Sequence, residues 1–116
     1  MASGKCDCGK VKYKLPRKPR EIANCHCTIC QTLHHQPYVS FAKYDAEDVN
    51  YVGVDHIVNI ASSERASRGY CTLCKKLIYM YYNGSDNIWM NADTFNFNTD
   101  RIKHYNIYTD TAVVPY

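Results

Sequence analysis

Seven cysteines in 116 residues fall into three tight clusters, and their spacing constrains this chain more than any other feature. The clusters are Cys6-Asp7-Cys8, then Cys25-His26-Cys27-Thr28-Ile29-Cys30, then Cys71-Thr72-Leu73-Cys74. An odd number of cysteines cannot all pair as disulfides. The N-terminus shows no basic stretch followed by an apolar run, so no secretion signal is expected. The expected setting is cytoplasmic, with the nucleus as the intracellular alternative, and closely spaced cysteines there are more often metal ligands than disulfides. A chain this short buries a modest share of its surface, and a bound metal would help to close its core.

Two, three and two ligands must be sorted. A structural zinc wants four ligands in a tetrahedron, commonly as two short pairs from distant parts of the chain. Cys6 and Cys8 would send both sulfurs to one face of an extended strand, and Cys71 and Cys74 form a knuckle-type CxxC, so these four make one closed structural site. Cys25, Cys27 and Cys30 remain as a second set of three. Three protein ligands leave a tetrahedral position open to an exogenous group, and three thiolates make a weak Lewis acid better suited to hold a thiol than to activate water. The expectation is Zn2+ at two sites, the second labile. His34, His35 or another chain could instead close the middle site. His26 points away from its flanking cysteines if the segment is extended, which makes it a packing or supporting residue rather than a ligand.

Between the clusters the pattern is β. Apolar and polar residues alternate over residues 10–15, 38–42, 56–61, 77–82, 87–92 and 102–108, rich in Tyr, Ile and Val and separated by Pro, Gly and Asn83-Gly84. This predicts an all-β chain of antiparallel strands, with a short helix over 28–34 left open. No linker or repeat interrupts residues 1–116, which are taken as a single zinc-binding domain. The net charge is +3, short of the clustered cationic stripe of a dedicated nucleic-acid binder. Lys10, Lys12 and Lys14 alternate with Val11, Tyr13 and Leu15, as on the solvent face of a strand. No apolar run approaches the roughly 20 residues that span a bilayer.

Three segments resemble the glutathione-dependent formaldehyde-activating enzyme family, which includes centromere protein V. Residues Ser3 to Tyr13 look like the family's Gly-x-Cys-x-Cys-Gly-x-Val-x-Tyr/Phe opening, and Asn24 to Gln31 like its Cys-His-Cys-x-x-Cys-Arg/Gln motif. Ser62-Ser63 through Arg68-Gly69-Tyr70-Cys71-Thr72-Leu73-Cys74 is similar to its Ser-Ser…Arg-x-Phe-Cys-x-x-Cys segment. The resemblance implies a small, zinc-pinned, tent-like arrangement of antiparallel sheets. Cys6, Cys8, Cys71 and Cys74 match its structural ligands, and Cys25, Cys27 and Cys30 match the ligands of its active-site zinc. It implies a carbon-sulfur lyase that joins glutathione, or another small thiol, to formaldehyde as S-hydroxymethylglutathione. The chain departs from the family where Lys75-Lys76 replaces a Gly, where His34-His35 replaces a small residue and Gly, and at Asn106, which stands for a His. The competing reading is a non-catalytic, zinc-stabilised module that binds protein or nucleic acid through residues 10–20 and its eleven tyrosines.

Overall fold

A computed structural model describes residues 2–26 and 38–107. The helix left open over 28–34 lies outside these residues. Ten strands form among the described residues, with no α-helix between them: β1 (Ser3–Lys5), β2 (Lys12–Lys14), β3 (Glu21–Cys25), β4 (Val39–Asp45), β5 (Asn50–Val52), β6 (Ile57–Ala61), β7 (Ala66–Cys71), β8 (Leu77–Tyr82), β9 (Asn87–Asn91) and β10 (Lys103–Ile107). The fold is all-β. Six of these strands fall on the alternating segments, while β1, β3, β5 and β7 have no such pattern.

The strands make two sheets, a small one ordered β1-β2-β5 and a large one ordered β10-β3-β4-β9-β8-β7-β6. Neighbours are antiparallel except β10 and β3, which run parallel and pair Ile107 with Cys25 and Asn106 with Asn24. In β2 the expected alternation holds, with Lys12 and Lys14 exposed and Tyr13 buried.

The main core lies where the small sheet meets one face of the large one. Val11, Tyr13 and Leu15 pack with Ile22, Ala42, Tyr44, Ile78, Ile88 and Met90. A second buried cluster contains Cys25, Val39, Phe41, Ala66, Leu77 and Met80. The one polar group that Tyr13 carries inward is satisfied. Thr94 Oγ1 donates to the Asn91 carbonyl at 2.7 Å, so it accepts from the Tyr13 hydroxyl at 2.5 Å.

Gly53 ties the end of β5 to the first cysteine loop. Its φ is 83°, and a Cβ built there would run into the Lys10 carbonyl oxygen. Gly53→Ala therefore carries both a left-handed backbone penalty and a clash with main chain, and should cost about 2–4 kcal/mol. A urea melt checks this, and an unchanged midpoint would show that the Lys10 loop shifts freely.

Candidate metal centre

The first cysteine pair sits in a tight turn and not in an extended strand. Cys6 follows β1, and its carbonyl accepts from the Gly9 N–H at 3.1 Å while its own N–H donates to Val11 at 3.0 Å. The turn folds Cys8 back until the two sulfurs stand 3.5 Å apart. The expected extended backbone is therefore not what aligns Cys6 and Cys8: a loop that satisfies its own hydrogen bonds brings the pair together.

The second pair sits between β7 and β8. Cys71 donates its N–H to the Lys76 carbonyl at 3.0 Å, its carbonyl accepts from Lys75 at 2.9 Å, and Thr72 N–H donates to His56 at 2.7 Å. Closing the loop this way puts Lys75 at φ 65°, the one positive value at a non-glycine among the described residues. Its ammonium donates to the Thr72 carbonyl at 2.9 Å.

The two loops face each other. Cys8 and Cys71 sulfurs are 3.6 Å apart, and the ligand atoms of Cys6, Cys8, Cys71 and Cys74 all lie within 4.8 Å of one another. Separations of 3.5 and 3.6 Å are too long for a disulfide, whose sulfurs stand about 2.05 Å apart. They suit a tetrahedral ion instead, because four sulfurs each about 2.3 Å from zinc would be about 3.8 Å from one another. Cys6 and Cys71 are buried, Cys74 is half-buried and Cys8 is exposed. The donor set and its spacing fit a metal ion.

Backbone amides prepare part of this cluster for the thiolate form. Burial would raise the Cys6 thiol, but donation from the Val11 N–H, 3.4 Å from its sulfur, and from Cys8 and Cys71 brings it down. Burial also opposes ionisation of Cys74, yet the N–H groups of Cys8 and Lys76 and the thiols of Cys71 and Cys6 lower it to about 6. At Cys8 the Lys10 N–H favours the thiolate. Desolvation and the three neighbouring sulfurs outweigh it and push Cys8 up to about 11.

Cys25 is apart from this cluster. It ends β3, buried between Val39 of β4 and Ile107 of β10. His26 follows it into the interior, 1% exposed, with its ring 4.9 Å from that of Tyr38 and Nε2 2.8 Å from Asn106 Oδ1. Cys27, Cys30, His34 and His35 lie outside the described residues. The Arg of the third motif is buried outside the cysteine cluster: Arg68 is 2% exposed and its guanidinium lies 5.9 Å from the centre of the Phe41 ring.

The chain is thus a small all-β, cysteine-rich protein in which two facing loops gather four sulfurs that could hold a metal ion. The family of the glutathione-dependent formaldehyde-activating enzyme matches over residues 1–111, and the chain belongs to it. Among curated proteins none matches significantly. The fold is similar to the crystal structure of a Rhodobacter sphaeroides protein, with a TM-score of 0.68 and 17% identity, over 90% of this chain and 100% of that one. No helix among the described residues is long and apolar enough to cross a membrane.

The left-handed Lys75 supplies a test of the second loop. A glycine adopts that φ freely, whereas a lysine is strained there by about 1 kcal/mol. Lys75→Gly should therefore stabilise the metal-loaded protein by roughly 1 kcal/mol, less the small contribution of its exposed hydrogen bond to Thr72, and raise the melting midpoint by about 4 °C. A lower midpoint would show that the lysine side chain holds the loop more strongly than its backbone strains it.

Proposed function

We propose that the protein is a zinc-dependent carbon-sulfur lyase of the family's type, working as a single intracellular domain. Cys6, Cys8, Cys71 and Cys74 hold a structural zinc, and Cys25, Cys27 and Cys30 hold a second one with an open position. The thiol is glutathione or a close relative, and the aldehyde is formaldehyde. One observation carries this reading: the four-sulfur cluster is complete without Cys25, which leaves that cysteine for the other set.

Bound in the second set, zinc would supply Lewis acidity, which lowers the pKa of a thiol brought to its open position. The chain's own part is placement. Cys25 is fixed by strand pairing on both sides, and His26 is held by Asn106 and Tyr38, so the cysteine motif starts from a rigid root. In the reaction the thiolate sulfur forms a bond to the formaldehyde carbon. The carbonyl π pair moves to oxygen, which takes up a proton to give the hydroxymethyl thioether. No electrons are gained or lost.

Two variants separate the roles of the cysteine sets. Cys74→Ser removes a ligand from the closed site, where metal binding is folding energy, so it should lose metal and melt far below the parent. Cys27→Ser should keep the fold and lose metal only from the second set. Zinc analysis together with thermal melts reads both, and cooperative unfolding of Cys27→Ser would show that the two sets form one structural unit.

The thiol itself is tested by replacing zinc with cobalt, whose absorption bands respond when a further sulfur enters. Glutathione should change them and S-methylglutathione should not, because only the free thiol can bind as an anion. An unchanged spectrum at millimolar glutathione would sink the enzyme reading. It would point to a middle site closed by His34 or His35, and to the binding module.

A further inference from the structure

Exposed apolar side chains gather along one edge of the large sheet. Val58 and Ile60 lie on β6, Val54 in the 3-10 turn that leads into it, and Leu73 in the second cysteine loop, whose Thr72 N–H donates to His56 at 2.7 Å. All four are between 40% and 56% exposed, and an apolar patch of this kind marks a contact surface. Strand β6 is the outer strand of the large sheet, and it runs Ile57-Val58-Asn59-Ile60-Ala61 without a charge or a proline. Edge strands are ordinarily blunted by such residues, because their unpaired main chain is a template for another strand. The opposite edge, β10, carries Lys103 and His104.

At one end of β6 the Thr72 N–H donates to the His56 carbonyl, and at the other the Ser62 N–H donates to the Ala66 carbonyl at 3.0 Å. Both pairs continue the β6–β7 register, in which Val58 faces Tyr70 and Ile60 faces Arg68. Bonded pairs alternate along an antiparallel ladder. Val58 and Ile60 therefore turn their N–H and C=O groups toward β7, while Ile57, Asn59 and Ala61 turn theirs to the open edge. The Ile57 N–H is already used on the Val54 carbonyl in the 3-10 turn, which leaves its carbonyl together with both groups of Asn59 and Ala61. The Asn59 side chain is held away from them, since its Oδ1 accepts from the hydroxyl of the core residue Tyr79 at 2.6 Å.

We propose that β6 pairs antiparallel with β6 of a second copy of the chain, about a two-fold axis at Asn59. In that register the two Asn59 residues exchange N–H···O=C bonds, and each Ala61 N–H donates to the Ile57 carbonyl of the other copy. Ile57 offers only an acceptor, and Ala61 supplies the donor for it. The same register sets Val58 of one copy beside Ile60 of the other, twice, on one face of the joined sheet. No like charges meet along the strand. This self-fit selects a second copy over an unrelated extended segment, because one strand supplies the matching donors, acceptors and apolar partners together. The pairing stops at two copies, since the other edge carries the charge of β10.

The test uses the metal-loaded full chain. Sedimentation from about 10 µM to about 1 mM should show a reversible monomer–dimer equilibrium, since a ladder this short covers less surface than a permanent interface does. Amide exchange over the same range should protect Asn59 and Ala61 only in the dimer, while Val58 and Ile60, bonded to β7, change little. Isotope-filtered NMR on mixed labelled and unlabelled protein should give contacts between Val58 and Ile60 of different copies. Val58→Lys and Ile60→Lys should each weaken association at least about tenfold, because a two-fold axis brings in each new charge twice. Val52→Lys, at an exposed apolar position of the small sheet, should stay within about threefold. Metal content and melting curves confirm that the variants are folded, and the exchange and contact measurements on the parent decide the matter where they are not. A monomer throughout that range overturns the proposal and leaves the edge to an extended segment of another protein. So does a dimer that both β6 lysine variants leave intact, or one in which Asn59 and Ala61 gain no protection.

Discussion

Cys8 and Cys71 are 63 positions apart in sequence and 3.6 Å apart in space, and much of the structure depends on that meeting. Closing a loop of this length costs about 4 kcal/mol of chain entropy, too much for two sulfur contacts to offset. The cost is met jointly. The Tyr13 hydroxyl donates to Thr94, Thr94 donates to Asn91, and the Asn91 amide donates to the Leu77 carbonyl at 2.9 Å. This polar chain runs from the small sheet through β9 to the first residue of β8, two positions past Lys75. It places the turn of the second cysteine loop by the same contacts that seat the small sheet on the large one. A metal bound by the four sulfurs would add its binding energy to the same closure.

The cysteine pairs were legible because ligand spacing is local, and the alternating strands were legible because a half-buried sheet repeats every two residues. The remaining strands were set by distant parts of the chain. Strand β7 reads Ala-Ser-Arg-Gly-Tyr-Cys, poor in β-formers, yet it lies inside the large sheet between β6 and β8. Gly69 is required there because the Tyr79 ring occupies the space of a side chain, and Arg68 is accommodated over Phe41. Neither reason is visible within six residues of sequence. Strand β3 is likewise buried on adjacent residues, Ile22 and Ala23, because both of its faces are covered: Ile22 packs into the main core, while Cys25, on the opposite face with Ala23, belongs to the second cluster.

The tyrosines show the same limit from the other direction. Counted in the sequence they suggested a recognition surface, but Tyr13, Tyr44 and Tyr79 belong to the core. Burial raises the Tyr44 phenol to about 12 against the opposing pull of Arg17, while its hydroxyl donates to the Arg17 carbonyl at 2.8 Å. Tyr79 donates to Asn59 at 2.6 Å. These rings fill volume and place one hydrogen bond each at the boundary of the core, which is what a small chain with few phenylalanines requires.

The substitution of Asn for His at position 106 has a physical reading once His26 is placed. Asn106 Oδ1 lies 3.4 Å from Asn24 Nδ2 and 2.8 Å from His26 Nε2. An amide oxygen can accept both hydrogens, so the His26 proton sits on Nε2 and the ring is held in one orientation. An imidazole at position 106 would serve the same purpose only in the tautomer that turns a bare nitrogen toward His26, and it would lose that ability on protonation. The amide cannot lose it. Position 106 is therefore a supporting position whose requirement is an acceptor beside the strand that carries Cys25, and Asn meets that requirement without adding a titrating group next to the cysteine motif.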